Sequence, residues 1–403
     1  MKSTRLTLCS WVIITLLMMV ATRPLYAKGS DTFQPGEINV SLAAGVDVAT
    51  INARYETAVL EQIAGTNIYR LRLPAGADVF QVKAQMELDA AIVFAEPNYN
   101  YQAPEVRQSS QAFVDQSSQA FVDGQAPGNF FGQAQLNRLR LTQAHAYTRG
   151  WGVRVAVVDT GLDFNHPLFA GRIAYPVYDF AGNDGNPNDE LGGTASGHGT
   201  FVAGLIAVTA PQAGIMPIRA FGSDGFGTSF NLAKAIRFAA DNGAQIINMS
   251  FGLLLQEYLI KDAVDYAAQN NVVLVAAAGN DNASKIHFPA FRSNVIAVTA
   301  VDESDRKASF ANFDSAVSVC VPGVNLYSAY PGNRWAWWSG TSFSTPLVSG
   351  EAALLLSLDP AIRRNELRKI ITTSGIDPNP LNPGYRGKLG HVRIDFLAAV
   401  TGR

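Results

Sequence analysis

The chain is poor in cysteine, with two in 403 residues. Cys9 lies in an N-terminal apolar stretch, and Cys320 lies in Val317-Ser318-Val319-Cys320-Val321. Once that stretch is removed, no intramolecular disulfide can form. In its apolar strand pattern, Cys320 reads as a packed thiol rather than a nucleophile. Charge is also scarce: 16% of residues are charged and the net charge is −2. Without a basic excess nothing points to a nucleic-acid partner, and without an acidic run nothing points to a solvating tail. The five histidines show no HExxH spacing and there is no CxxC pair, so no zinc motif stands out. No P-loop and no Gly-x-Gly-x-x-Gly after a strand pattern is present, which argues against a nucleotide cofactor. Beyond the N-terminus, no apolar run is long enough to span a bilayer.

What is present falls into segments. Lys2 and Arg5 precede residues 6–22, which carry no charge, and Leu25-Tyr26-Ala27 offers a small-residue cleavage site. This reads as a secretory signal peptide over 1–27, giving a secreted or periplasmic protein with no membrane attachment after cleavage. Residues 28–102 read as a small α+β domain. Strand patterns at 38–42, 57–63, 67–73 and 91–94 and helical patterns at 48–55 and 79–88 give the order β-α-β-β-α-β, a ferredoxin-like arrangement. Residues 103–129 read as an exposed linker. It contains Gln108-Ser109-Ser110-Gln111-Ala112-Phe113-Val114-Asp115 and an identical copy at 116–123. From 130 to 403, Val- and Ile-rich runs alternate with helical stretches. Strands are expected at 153–158, 215–219, 246–249, 272–277, 295–300 and 316–321. Helices are expected at 198–208, 229–242, 254–270, 342–358 and 363–373. Apolar runs without alternation imply strands buried on both faces, hence a mostly parallel sheet in a three-layer α/β domain.

Three motifs carry the chemistry: Val157-Val158-Asp159-Thr160-Gly161, Gly197-His198-Gly199-Thr200, and Gly340-Thr341-Ser342-Phe343-Ser344-Thr345-Pro346. Each sets one member of an Asp, His, Ser set among small residues at an expected strand end or helix start, where open α/β sheets build sites. A serine hydroxyl needs a neighbouring imidazole to accept its proton, and the imidazole needs a carboxylate to hold its tautomer. Gly340 and Thr341 are expected to form a tight turn before the Ser342 helix. Asn280, after Ala278-Gly279, supplies a side-chain N–H for an oxyanion. Singly, each motif has a bland reading: a turn aspartate, a structural histidine in a glycine-rich turn, a common Gly-Thr-Ser. Together, in the order Asp, His, Ser, they point to a serine hydrolase. His145, His166, His287 and His391 lack such context and read as structural or exposed, with His166 at the rim.

At these motifs the chain resembles the subtilase family of subtilisin-like serine peptidases over residues 130–403. The resemblance implies Asp159, His198 and Ser342 as the triad and Asn280 as the oxyanion residue. Ser250, Phe251 and Gly252 would be the substrate-pairing strand, and no cofactor would be required. It also implies that residues 28–102 are an inhibitor-type propeptide, that the linker holds a self-cleavage site, and that the partners are a peptide or protein substrate and the chain's own propeptide. Nothing demands more than a monomer. Pro167-Leu168-Phe169 replaces the neighbourhood that supplies a tight-calcium aspartate in the family prototype, so that site is expected to be missing. Asp179, Asp184 and Asp189 resemble a different calcium loop and are candidate ligands, the alternative being a solvated acidic turn. Leu253-Leu254-Leu255 after Gly252 departs from the usual second glycine and is expected to reshape the outer pocket. The readings to be separated are a serine endopeptidase, a silent peptide-binding scaffold of the same fold, and a transpeptidase.

Overall fold

The computed structural model describes residues 33–102, 121–122 and 128–402. The expected signal peptide, Cys9, the first octapeptide copy and most of the expected linker lie outside the described residues.

The N-terminal part consists of β1 (Phe33–Leu42), α1 (Val48–Tyr55), β2 (Ala58–Gln62), β3 (Ile68–Arg72), α2 (Val79–Met86) and β4 (Ile92–Gln102). Both helices start at an aspartate whose carboxylate accepts first-turn N–H groups: Asp47 from Ala49, and Asp78 from Phe80 and Gln81. The strands pair antiparallel in the order β2-β3-β1-β4. Ile38, Val40 and Leu42, at the two-residue spacing of one sheet face, are buried with Ile51 and Met86 beneath the helices. β4 continues well past the expected end at 94. Its second half, Glu96-Pro97-Asn98-Tyr99-Asn100-Tyr101-Gln102, is held by the rest of the chain: Asn100, Tyr101 and Gln102 pair antiparallel with Thr228, Gly227 and Phe226.

The larger part is built on a nine-stranded sheet. Its spatial order is Gly375–Ile376, Val392–Ile394, Val319–Pro322, Ile296–Val301, Val273–Ala277, Ile246–Met249, Arg154–Asp159, Gly214–Arg219 and Tyr178–Asp179. All neighbours are parallel except the first pair. Both faces are covered, as the unbroken apolar strand runs require. Val155 and Val157 belong to one core with the helices His198–Thr209 and Thr341–Leu358. Ala156 and Val158 belong to the other core, with Ser229–Asp241 and Tyr258–Gln269. Every residue of His198–Thr209 is buried, so that helix is apolar all round, whereas Tyr258–Gln269 buries one face only. The architecture is therefore the three-layer α/β domain with a small α+β domain ahead of it.

The helix expected from residue 254 starts at Tyr258, because Leu253 forms a two-way backbone pairing with Phe288 that keeps the segment extended. A hairpin of Leu326–Tyr330 and Arg334–Trp338, absent from the expected strands, lies apart from the main sheet and takes Phe121–Val122 as a third strand.

Candidate active site

Asp159, Ser250 and Asn280 come from the carboxyl ends of three adjacent parallel strands, Arg154–Asp159, Ile246–Met249 and Val273–Ala277. His198 and Ser342 stand in the first turns of the two buried helices on one face. His198 Nδ1 lies 2.7 Å from Asp159 Oδ1, with both side chains buried. That carboxylate oxygen also accepts the Thr160 N–H at 2.8 Å, which fixes its rotamer. The imidazole is walled by aromatic rings: Phe343, next to Ser342, at 5.3 Å and Trp338 at 5.7 Å between centroids. Gly199 explains how the His helix comes so close to the Asp turn. A Cβ there would lie 2.2 Å from the Gly161 carbonyl oxygen, so no larger residue fits without separating the two.

Ser342 is fully buried, and its Oγ donates to the Ser250 carbonyl at 3.2 Å. In return Ser250 Oγ donates to the Ser342 carbonyl at 2.8 Å. Pro346 makes this reciprocal bond available. As a helix-interior proline it has no N–H for the carbonyl four residues earlier, which is that of Ser342. Gly340 is extended, with φ 163°, rather than in the expected tight turn. Asn280 Oδ1 accepts both the N–H and the hydroxyl of Thr341, at 2.9 and 2.8 Å. Gly279, at φ +107°, has no room for a Cβ beside Asn312 and His287, so the approach to Asn280 requires glycine.

The substrate-strand candidates Ser250, Phe251 and Gly252 line the path of β4. Gln102 forms an antiparallel bridge to Gly252 while pairing with Phe226 on its other side. The end of β4 is thus a middle strand between residues 226–228 and 250–252. Tyr101 points into the interior, fully buried, with its ring edge-on to Phe251 at 6.1 Å. Leu253 is half-buried, paired with Phe288 through the backbone, and packs against the apolar cluster that includes Tyr101 and Phe251.

Of the three candidate calcium ligands, Asp179 and Asp184 exchange backbone hydrogen bonds, but the three side chains engage different partners. Asp179 pairs with Arg219 at 2.7 Å and accepts the Gly182 N–H. Asp184 is exposed and accepts the Asn186 N–H. Asp189 is buried beneath the triad and accepts from Thr160 Oγ1, Gly197 N–H, and the N–H and hydroxyl of Thr200. Among the described residues no three His, Cys, Asp or Glu side chains could hold a metal ion. An arginine engages Asp179 and helix-start groups engage Asp189, which leaves Asp184 as the one of the three open to solvent. His166 is buried rather than at the rim, and caps the short turn Pro167–Phe169 through Nδ1. His287, also buried, contacts Asp281 through Nε2 at 2.6 Å.

Several residues of the site went unread in the sequence: Asp189 as a tie between the Asp and His segments, Trp338 beside the imidazole, Thr341 as the anchor of Asn280, and the second half of β4. A sign of the last was Glu96-Pro97-Asn98, polar residues continuing a strand whose partner lies in another domain.

Comparison with known proteins bears on the whole arrangement. Residues 22–98 match the fervidolysin N-terminal prodomain and residues 150–391 match the subtilase family. A thermophilic serine proteinase from Bacillus sp. (strain AK1) is 44% identical over 216 residues, covering 51% of this chain and 52% of that protein. Thermitase from Thermoactinomyces vulgaris is 40% identical over 230 residues, 55% of this chain and 80% of the relative. The crystal structure of fervidolysin from Fervidobacterium pennivorans, a keratinolytic enzyme related to subtilisin, superposes with a TM-score of 0.75 at 25% identity, over 92% of this chain and 62% of that one. The chain thus spans about half the length of the Bacillus proteinase and 62% of fervidolysin. With the match running through the Asp, His, Asn and Ser segments, the chain belongs to the subtilase family of serine endopeptidases and carries a prodomain ahead of its protease domain.

Proposed function

We propose that this chain is a secreted or periplasmic serine endopeptidase, made as a precursor that cleaves itself within residues 103–129 and is held inactive until then by its own prodomain. The observation that carries the reading is the buried 2.7 Å contact of His198 with Asp159, beside the helix that begins at Ser342. Ser342 Oγ attacks the peptide carbonyl while His198 takes its proton, and Asp159 holds the Nδ1–H tautomer and stabilises the imidazolium. The tetrahedral oxyanion is met by Asn280 and by the Ser342 N–H. The Asn280 oxygen is committed to Thr341, so its amide nitrogen is the end that serves the oxyanion. First-turn N–H groups of a helix point outward along its axis. One such donor is worth ~3–4 kcal/mol in the transition state. His198 then returns its proton to the leaving amine, and water repeats the cycle on the acyl-enzyme. A bound peptide follows the path of β4, adding a strand between 226–228 and 250–252. In the precursor that path is occupied, which supports the inhibitory role.

The test is intact mass over time for the full chain and its Ser342→Ala variant. The native chain is expected to lose the residues up to a point within 103–129, while the variant stays whole. Loss of the same residues from both would remove self-cleavage from the reading.

A further inference from the structure

The pocket around Tyr101 contains a carboxyl that the mechanism does not use. Glu257 occupies the N-cap position of Tyr258–Gln269 and makes no capping bond. The first two N–H groups of that helix, those of Tyr258 and Leu259, go to Glu96 instead. The Glu257 side chain is buried, with 1% of the residue exposed. The hydroxyls of Tyr101 and Ser229 face it, and the Glu96 carboxyl acts on it through space. Neither Glu257 oxygen completes a bond of standard geometry, nor does the Tyr101 hydroxyl. A phenol and a carboxyl therefore meet at the floor of a pocket whose wall is Phe251. A buried polar group at such a point is costly unless it meets a partner.

The strand register says which substrate residue enters this pocket, given the reading above that a substrate follows β4. Gln102 stands opposite Gly252. In an antiparallel pair, two residues further along the bound strand lie opposite Ser250, whose carbonyl receives the Ser342 hydroxyl. The residue in the Tyr101 pocket is then three places before the one at the nucleophile, and so fourth on the acyl side of the cleaved bond.

We propose that Glu257, with Ser229, determines specificity at this fourth position, selecting tyrosine over phenylalanine through the phenol hydroxyl. Tyr101 is the chain's own copy of that recognition element. Burial pushes the Glu257 carboxyl well above the usual carboxylate range. In its neutral form it both donates and accepts, so it can pair a phenol without burying a charge. Phenylalanine would fill the same aromatic space and leave the carboxyl unanswered.

The experiment compares kcat/KM of the processed enzyme on two chromogenic peptides that differ only by Tyr or Phe at the fourth position. The native enzyme is expected to favour Tyr by about tenfold or more. In Glu257→Ala the ratio is expected to fall to about one to two. A ratio near one in the native enzyme, or an unchanged ratio in the variant, overturns the assignment. Should the native enzyme cut neither peptide, it is the peptidase reading that fails. The pocket is then read in the full Ser342→Ala chain by a double-mutant cycle on the thermal midpoint. Tyr101→Phe is expected to lower the midpoint when Glu257 is present and to have no effect in Glu257→Ala. Strict additivity there overturns the contact itself.

Discussion

Four donors converge on the carboxylate of Asp189, two on each oxygen, and they come from both sides of the triad. Thr160 follows the catalytic aspartate candidate, while Gly197 and Thr200 flank His198. The side chain thus sets the spacing of the Asp and His segments without touching a substrate, which makes it a positioning residue. Each oxygen receives one backbone N–H, so an amide in place of the carboxylate would turn its N–H₂ toward a group that can only donate, whichever way it faced. Asp189→Asn is therefore expected to destabilise the chain by about 1–3 kcal/mol. It should also lower kcat about tenfold or more with little change in KM, as a displaced His198 would. Burial pushes this carboxyl up from 3.8 to about 7, against its hydrogen bonds to Thr200 and Gly197. Because the folded value is the higher one, the stability this group contributes is complete below the unfolded value and is lost as pH rises through about 7. Asp189→Asn should flatten the thermal midpoint over that interval, and a midpoint profile unchanged from the native one would show that the group does not titrate there.

At the scale of elements, the contact between the two parts of the chain is made largely at helix starts. Glu96 of β4 accepts N–H groups from Tyr258 at 2.8 Å and Leu259 at 3.1 Å. Asn98 accepts the Phe230 N–H at 3.2 Å and the Ser229 hydroxyl at 3.3 Å. Two parallel helices are thus capped by one strand of the prodomain, with the ion pair of Lys234 and Glu61 alongside. In the full Ser342→Ala chain, Glu96→Ala is expected to cost about 1–3 kcal/mol, because two buried N–H groups lose their acceptor. Thermal unfolding measures it, and a change inside error would mean that water or Glu257 takes over the cap. This element also shows where sequence reading stops. The helix 48–55 was legible because cap, apolar spacing and termination all lie within a few residues. That the sheet is mostly parallel could be inferred because Val155 to Val158 is apolar without alternation. The end of β4 was not legible, because Asn98 and Gln102 are polar and their partners lie more than a hundred residues away. The hairpin 326–338 was missed for a related reason: Tyr327, Ser328 and Ala329 are all buried, so no two-residue alternation marks the strand. The ion pair at Asp179 was not legible either, because the acidic spacing of 179–189 gives no hint of Arg219, forty residues on.

At the scale of the whole molecule, the prodomain interface buries carboxyls whose charge state depends on whether the two parts are together. Burial raises Glu96, although the Tyr258 and Leu259 N–H groups pull it down, and burial with the Glu96 charge raises Glu257 well above the ordinary value. Around them lie Tyr99 and Tyr101 on β4, both raised by burial, and Lys83 and Glu87 on α2. No cation of the larger part is among the charges that act on either carboxyl. Both are thus more readily protonated in the docked state than in the separated one. The sign follows from linkage: docking strength from these groups is complete below the ordinary carboxyl value of 4.5 and is lost as pH rises through the raised docked values. The prodomain is accordingly expected to be held more tightly in mild acid than at neutral or alkaline pH. With the Ser342→Ala chain nicked in its linker by an added protease, the rate of prodomain dissociation should increase from mild acid to alkaline pH, and Glu257→Gln should weaken that dependence by removing one ionisation. A rate independent of pH in the native chain would show that neither carboxyl changes its charge on docking, and would leave the docking to the ion pair of Lys234 with Glu61 and the Asn98 cap.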